Sequence, residues 1–200
     1  MNPQDNVYDA LFQRTKSLSI ALGYRDLMTR RHSERVQGLS EEIGVRYGLD
    51  HQQLCTLRTS ATFHDIGKIG TPDYILLKPR QFNDDEWMLM KQHCEMGEKI
   101  MLSTELEGSD MAALAIRHHH EYFDGQGYPD GLSGVEIPIC SRIISIADSY
   151  DAMAVTRSYH KARAHSEIME ILVAETGKKH DPQLMQIFAD FIDASQFRAA

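Results

Sequence analysis

The feature that most constrains this chain is a set of histidines and aspartates with no local grouping. They are His32, His64-Asp65, His93, His119-His120 and Asp148, with Lys68 a short step after His64. Nearly all fall in stretches of helical pattern. For them to act together, the fold must carry several helices to one point. Neutral imidazoles and carboxylates together suit a borderline transition metal, and adjacent His-Asp and His-His pairs can serve two metals at once. The leading expectation from these residues is metal-dependent phosphoester chemistry.

A chain of 200 residues suits one domain and is long enough to bury a core without disulfides. Its apolar runs are short and interrupted, which predicts no transmembrane span. The N-terminus, Met1-Asn2-Pro3-Gln4-Asp5, is polar and unlike a signal peptide. Cys55, Cys94 and Cys140 are odd in number and lack CxxC spacing, as expected in a reducing cytoplasm. A net charge of −8 argues against a partner such as a DNA or RNA polymer, whose phosphates demand a basic surface. A small anionic substrate is compatible with it, because bound divalent cations would dominate the local field.

The pattern predicts an all-α fold. Leu11, Leu18, Ile20, Leu22 and Leu27 mark a first helical segment, interrupted near Gly23. That segment either pairs with a second copy of the chain or packs on its own domain. His32, Val36, Leu39, Ile43 and Val45 mark a second helix ending at Gly48. Asp50 caps a third, running to His64-Asp65-Ile66 and ending at Gly67. Thr71 to Arg80 reads as a loop with a short turn. Asn83 and Glu86 form a capping box opening a helix with Trp87, Met90 and His93 on one face. Ser109-Asp110 opens a helix reaching His118-His119-His120-Glu121. Pro138 starts a helix through Ile143, Ile146 and Asp148. Two more helices, about Ser166 to Thr176 and Pro182 to Phe191, complete the chain.

His64-Asp65-Ile66-Gly67-Lys68, His119-His120-Glu121 and Asp124-Gly125-Gln126-Gly127-Tyr128-Pro129 together resemble the signature of HD-GYP domains. His32-Ser33-Glu34-Arg35, Lys91-Gln92-His93, Ile137-Pro138, Arg142-Ile143 and Ala147-Asp148-Ser149-Tyr150-Asp151-Ala152 extend the match in order. The resemblance runs from about Tyr24 to Pro182, leaving 1–23 as a helical extension and 183–200 as a last helix of one HD-GYP domain. It implies an HD-superfamily helical bundle with additional HD-GYP helices. It also implies hydrolysis of cyclic di-GMP to linear pGpG, in some members onward to GMP, by a hydroxide shared between two metals. Relatives in this family act on cyclic GMP-AMP.

By the same resemblance, His32, His64, Asp65, His93, His119, His120 and Asp148 are metal ligands, with Asp65 bridging two divalent ions, Fe or Mn. Lys68 and Asp65 are the catalytic pair. Lys68, Arg157 and Tyr128 are the substrate contacts. No third metal is expected, since the glutamate some members carry one turn before His32 is Met28 here, and a thioether suits hard ions poorly. The family's Arg-Pro-Tyr element is Arg157-Ser158-Tyr159, followed by His160, which bears on substrate selectivity. Phosphodiester hydrolysis then needs little else: Lys68 lies about one turn from His64, placed to steady a phosphate oxygen.

Other residues carry a plainer reading beside the functional one. The glycine-dense loop either frames the mouth of the site or merely permits tight turns. Glu121 and Asp124 either orient His119 and His120 or are solvated. His118 is a solvent or supporting residue, and His51, His165 and His180 are loop or cap residues. Cys94 is read as a small buried side chain. Arg142 either pairs with a carboxylate or stands exposed. A catalytically idle regulatory module is the rival function; the presence of His64, Asp65 and Lys68 speaks against it. A homodimer and a regulatory protein partner both stay open.

Overall fold

The structure, a computed structural model, describes residues 11–13, 15, 17–18, 20–24, 27–156 and 161–200. Its elements are α1 (Leu27–Tyr47), α2 (His51–Phe63), α3 (Asp73–Leu76), α4 (Asp84–Lys91), α5 (His93–Leu102), α6 (Ser109–Arg117), α7 (Ile139–Ala154), α8 (His165–Ala174) and α9 (Pro182–Ile192). Short 3₁₀ turns span Ile66–Gly70 and Gly134–Glu136. Among the described residues there is no strand, only an isolated bridge between Thr176 and His180. No described helix is long and apolar enough to cross a membrane.

Helix α1 shows how the sequence aims the site. Val36, Leu39 and Ile43 form one fully buried stripe, and His32 sits one turn ahead of Val36 on that same face. The stripe that anchors α1 in the core therefore also buries His32. Val45 falls off this stripe and is 56% exposed. Gly48 ends the helix at φ +90, a conformation glycine adopts freely.

Helix α7 runs through the middle of the larger core, burying Ile143, Ile144, Ile146, Ala147 and Tyr150 against α1, α2, α8 and α9. It starts at Ile139, with Pro138 as the preceding cap residue rather than the first helical one. A second cluster joins Phe63, Ile66, Met101 and Ile116 with Leu11 and Leu22. The N-terminal segment thus packs, through those two leucines, on its own chain.

Both expected caps are present. Gln53 donates to Asp50 at 2.8 Å, and Glu86 donates through its backbone to Asn83 at 2.9 Å. Three expected elements differ, one being the helix opened at Ser109, which ends at Arg117 short of His118-His119-His120-Glu121. The third helix stops at Phe63, before the 3₁₀ turn at Ile66. The helix opened at Asn83 breaks at Gln92, so His93 begins α5. Within Thr71 to Arg80 the short turn is the four-residue α3.

Candidate metal centre and cavity

Three helices end at the site, and a histidine follows or closes each. His64 caps α2, His93 follows α4, and His119 follows α6. Each places Nδ1 on a carbonyl three residues back: Ala61 at 2.7 Å, Met90 at 2.7 Å and Ile116 at 2.6 Å. These carbonyls belong to last turns, where acceptors lack helical partners. A carbonyl can only accept, so Nδ1 carries the proton and Nε2 presents a lone pair to the centre. Helix C-termini also carry partial negative charge, and three meeting here favour a cation.

The lone pairs lack adequate protein partners. His64 Nε2 is buried with no hydrogen bond. The Nε2 atoms of His93 and His119 face each other at 3.4 Å, acceptor against acceptor. A buried acceptor with no donor is costly, and a metal ion supplies what both arrangements miss. Besides His118, Glu121 and Asp130 in the loop, the donor sets among the described residues form two groups: His32, His64 and Asp148, and His93, Cys94, His119 and His120. Asp65 lies between them, with Oδ2 3.5 Å from His64 Nε2 and Oδ1 3.6 Å from His93 Nε2. All seven residues singled out as ligands in the sequence are thus brought together.

Electrostatics keep the set ready for a cation. Burial lowers His93 to about 4 and His119 to about 3, and it also lowers His64 and His120. Burial would raise Asp65, yet Lys68 and the surrounding histidines hold it well below the usual carboxylate range. Asp148 is lowered in the same way, against burial, by His32. For His32, burial works downward, but hydrogen bonds to Asp148 and Asp151 leave it raised.

His32 differs from the other histidines because two carboxylates hold it. Nε2 meets Asp148 Oδ1 at 2.9 Å, and Nδ1 meets Asp151 Oδ2 at 2.6 Å. Asp151 is itself gripped by Arg35 through bonds of 2.6 and 2.9 Å. Sequence reasoning missed the roles of Asp151 and Arg35. Their signal was spacing: each lies three residues after Asp148 or His32, on the same helix face.

Lys68 donates to Asp65 Oδ2 at 2.6 Å and lines the cavity above. Gly67 explains how this turn fits: a Cβ there would lie 1.9 Å from the His93 carbonyl oxygen, so only glycine lets the Asp65–Lys68 turn approach α5. Gly127 serves the loop similarly, since a Cβ there would meet the Tyr122 amide at 2.2 Å. The loop folds back until Tyr128 donates its amide to the His120 carbonyl at 3.1 Å and lays its ring 4.9 Å from that of His120. Both readings of the glycine-dense loop hold: it turns tightly, and through Tyr128 it lines the cavity.

The cavity measures about 800 Å³, near the upper end for small-ligand sites. Its floor includes His32, Asp65, His93, His120 and Asp148, and its walls include Arg80 together with Arg35, Lys68 and Lys78, which are paired with Asp151, Asp65 and Glu86. Met28 also lines it, where the extra glutamate of some family members would stand. Phe82 and Trp87 form part of the wall and were not singled out as contacts from sequence. Arg157 and the rest of the Arg157-Ser158-Tyr159-His160 element lie outside the described residues.

The remaining expectations resolve individually. Glu121 is buried but takes the Asp130 and Gly131 amides at 2.7 and 3.1 Å, so it secures the loop rather than a histidine. Asp124 is exposed and accepts from the Gln126 amide. His118 is buried and supports the loop, 2.8 Å from Asp130. His51 and His165 open helices, and His180 lies between α8 and α9. Arg142 pairs with Asp181 at 2.6 Å. Cys94 is buried as expected, yet its Sγ lies 3.6 Å from His93 Nε2, inside the second donor group.

Comparison with known proteins agrees with this architecture. The family of HD domains matches residues 16–184. A cyclic di-GMP phosphodiesterase of Thermotoga maritima is 38% identical over 180 residues, which span 90% of this chain and 49% of that protein. A 3'3'-cGAMP-specific phosphodiesterase of Vibrio cholerae is 34% identical across 88% of this chain and 34% of its own length. This chain therefore spans half or less of each relative. A crystal structure of a cyclic GMP-AMP-specific phosphodiesterase of V. cholerae superposes with a TM-score of 0.69 at 20% identity, covering 96% of this chain and 50% of that one, and shows the fold. With its helical bundle, its His-Asp turn and its Gly-Tyr-Pro loop in one cavity, the chain belongs to the HD domain family, in its HD-GYP group.

Proposed function

We propose that this chain is a metal-dependent phosphodiesterase that hydrolyses cyclic di-GMP. The observation carrying the proposal is the pair of donor groups, His32, His64 and Asp148 and the histidine set of His93, His119 and His120, with Asp65 between them beside a cavity that Lys68 also lines. The named activity of the T. maritima relative supplies the substrate class. His32, His64 and Asp148 would hold one divalent ion and His93, His119 and His120 another, with Asp65 between. The mixed nitrogen and oxygen donors suit Fe or Mn. Met28, in place of a carboxylate, limits the set to two.

When bound, such ions supply positive charge for the phosphate and acidify water at neutral pH. The chain's own residues do the rest. Lys68 reaches the cavity from the Asp65 turn and would neutralise a phosphate oxygen as negative charge develops. Arg35 and Asp151 fix the ring of His32. Tyr128 faces the substrate beside His120. Arg157 remains a proposed contact through the family resemblance.

Hydrolysis of cyclic di-GMP by protein purified without oxygen, with Fe(II) or Mn(II) added, tests the reading. Turnover to the linear dinucleotide or GMP is expected, and Asp65→Ala is expected to lose both turnover and bound metal. Metal-loaded protein that leaves cyclic di-GMP intact would overturn it. The second reading, a cyclic GMP-AMP phosphodiesterase, is favoured by the similarity to the V. cholerae enzyme and is tested in the same assay.

A further inference from the structure

From the metal-candidate floor, a line of aromatic rings runs outward along the cavity. His120 and Tyr128 lie 4.9 Å apart between centroids, Trp87 meets Tyr128 edge-on at 6.0 Å, and Phe82 stacks with Trp87 at 6.2 Å and 22°. All four residues line the cavity. Trp87 keeps 42% of its surface exposed, whereas Met90, one turn on, is 8% exposed and anchors α4 in the interior. Trp87 is therefore a poor account of core filling. The capping box at Asn83 and the Lys78–Glu86 ion pair fix the start of α4. Lys91 Nζ sits 5.8 Å from the Trp87 centroid and 5.2 Å from that of Tyr128.

We propose that Trp87, backed by Phe82 and Tyr128, is the stacking platform for one purine base of a cyclic dinucleotide. This rests on the function proposed above. A substrate whose phosphate lies at the His/Asp floor must carry its base outward by one nucleoside, and the aromatic line leads in that direction. Planar bases stack on aromatic side chains whatever their hydrogen-bonding edge, so the platform supplies binding and leaves reaction to the floor. It holds ground state and transition state alike, which predicts an effect on KM and not on kcat.

Trp87 is the chain's single tryptophan, so intrinsic fluorescence reads this position without a label. Mn(II)-loaded wild-type protein would be titrated with a phosphorothioate analogue of cyclic di-GMP, and separately with inorganic phosphate. The analogue is expected to quench the emission saturably, and phosphate, having no base, to leave it unchanged. Trp87→Ala should raise KM for cyclic di-GMP about 5- to 150-fold with kcat held, and Trp87→Phe should restore most of the loss. Equal quenching by phosphate, or wild-type emission indifferent to the analogue, overturns the platform, as does an unchanged KM in Trp87→Ala. If Trp87→Ala fails to fold, the titration and Trp87→Phe still decide. Saturable quenching without hydrolysis would leave the platform standing and sink the hydrolase reading. Hydrolysis without quenching would do the reverse.

Discussion

At the metal-candidate centre, His64, His93 and His119 are buried, and each is tied to a backbone carbonyl of the helix it follows or closes. On the wall, Arg80, Trp87 and Leu77 stand exposed, and Trp87 meets the rings of Phe82 and Tyr128. These three donors are specified by main chain, so their geometry is part of the fold. The wall is specified by side chains that can change without unfolding the bundle. In the reading proposed here, reaction belongs to the floor and choice of substrate to the wall. Relatives 38% and 34% identical to this chain carry names with two different cyclic dinucleotides, as that division allows.

The division yields graded expectations. Asp65→Ala should be the most damaging, reducing hydrolysis to background. Lys68→Met should lower kcat by roughly 10²- to 10³-fold while metal content, measured by mass spectrometry, stays near wild type. A metal loss equal to that of Asp65→Ala would show that Lys68 serves assembly and not substrate. The Trp87→Ala effect should fall below this and appear in KM. Asp151→Asn, which loosens the grip on His32, should weaken metal affinity about 10- to 100-fold in chelator competition, with the fold intact by circular dichroism. An unchanged affinity would mean that His32 needs no such support.

The mildest expectation concerns acid. Histidines in the unfolded chain titrate near 6.5, whereas burial keeps His93 near 4 and His119 near 3 in the folded, metal-free protein. Below 6.5 the unfolded state therefore takes up protons that the folded state refuses. Stability is fully present above that pH and is lost as pH falls toward 4. Raised His32 acts in the opposite sense but is outnumbered by the lowered His64, His93, His119 and His120. Urea midpoints of chelator-treated protein should fall across this range, and flat midpoints would contradict the buried, neutral state of these rings.

Features written in local chemistry could be read from the sequence. The cap at Asp50 and the capping box at Asn83 follow from residue type and spacing, and the donor residues follow from an ordered motif. Features that depend on what approaches from elsewhere could not. The break at Gln92 coincides with His93 placing its Nδ1 on the Met90 carbonyl, a contact no periodicity reveals. Glu121 read as either a partner for His119 and His120 or a solvated residue, whereas the returning loop buries it against the Asp130 and Gly131 amides. Trp87, Met90 and His93 do share a face on the cavity, yet only the fold sets Phe82 and Tyr128 beside Trp87.

The carbonyl ties on His64, His93 and His119 make the floor behave as a chelator and not as three separate donors. A flexible ligand set surrenders side-chain rotational freedom when it captures an ion, at a cost that weakens affinity. Here that freedom was given up when the helices formed, so little remains to lose at capture. Slow release of an ion once bound follows from the same rigidity, because the rings have no alternative orientation to turn into.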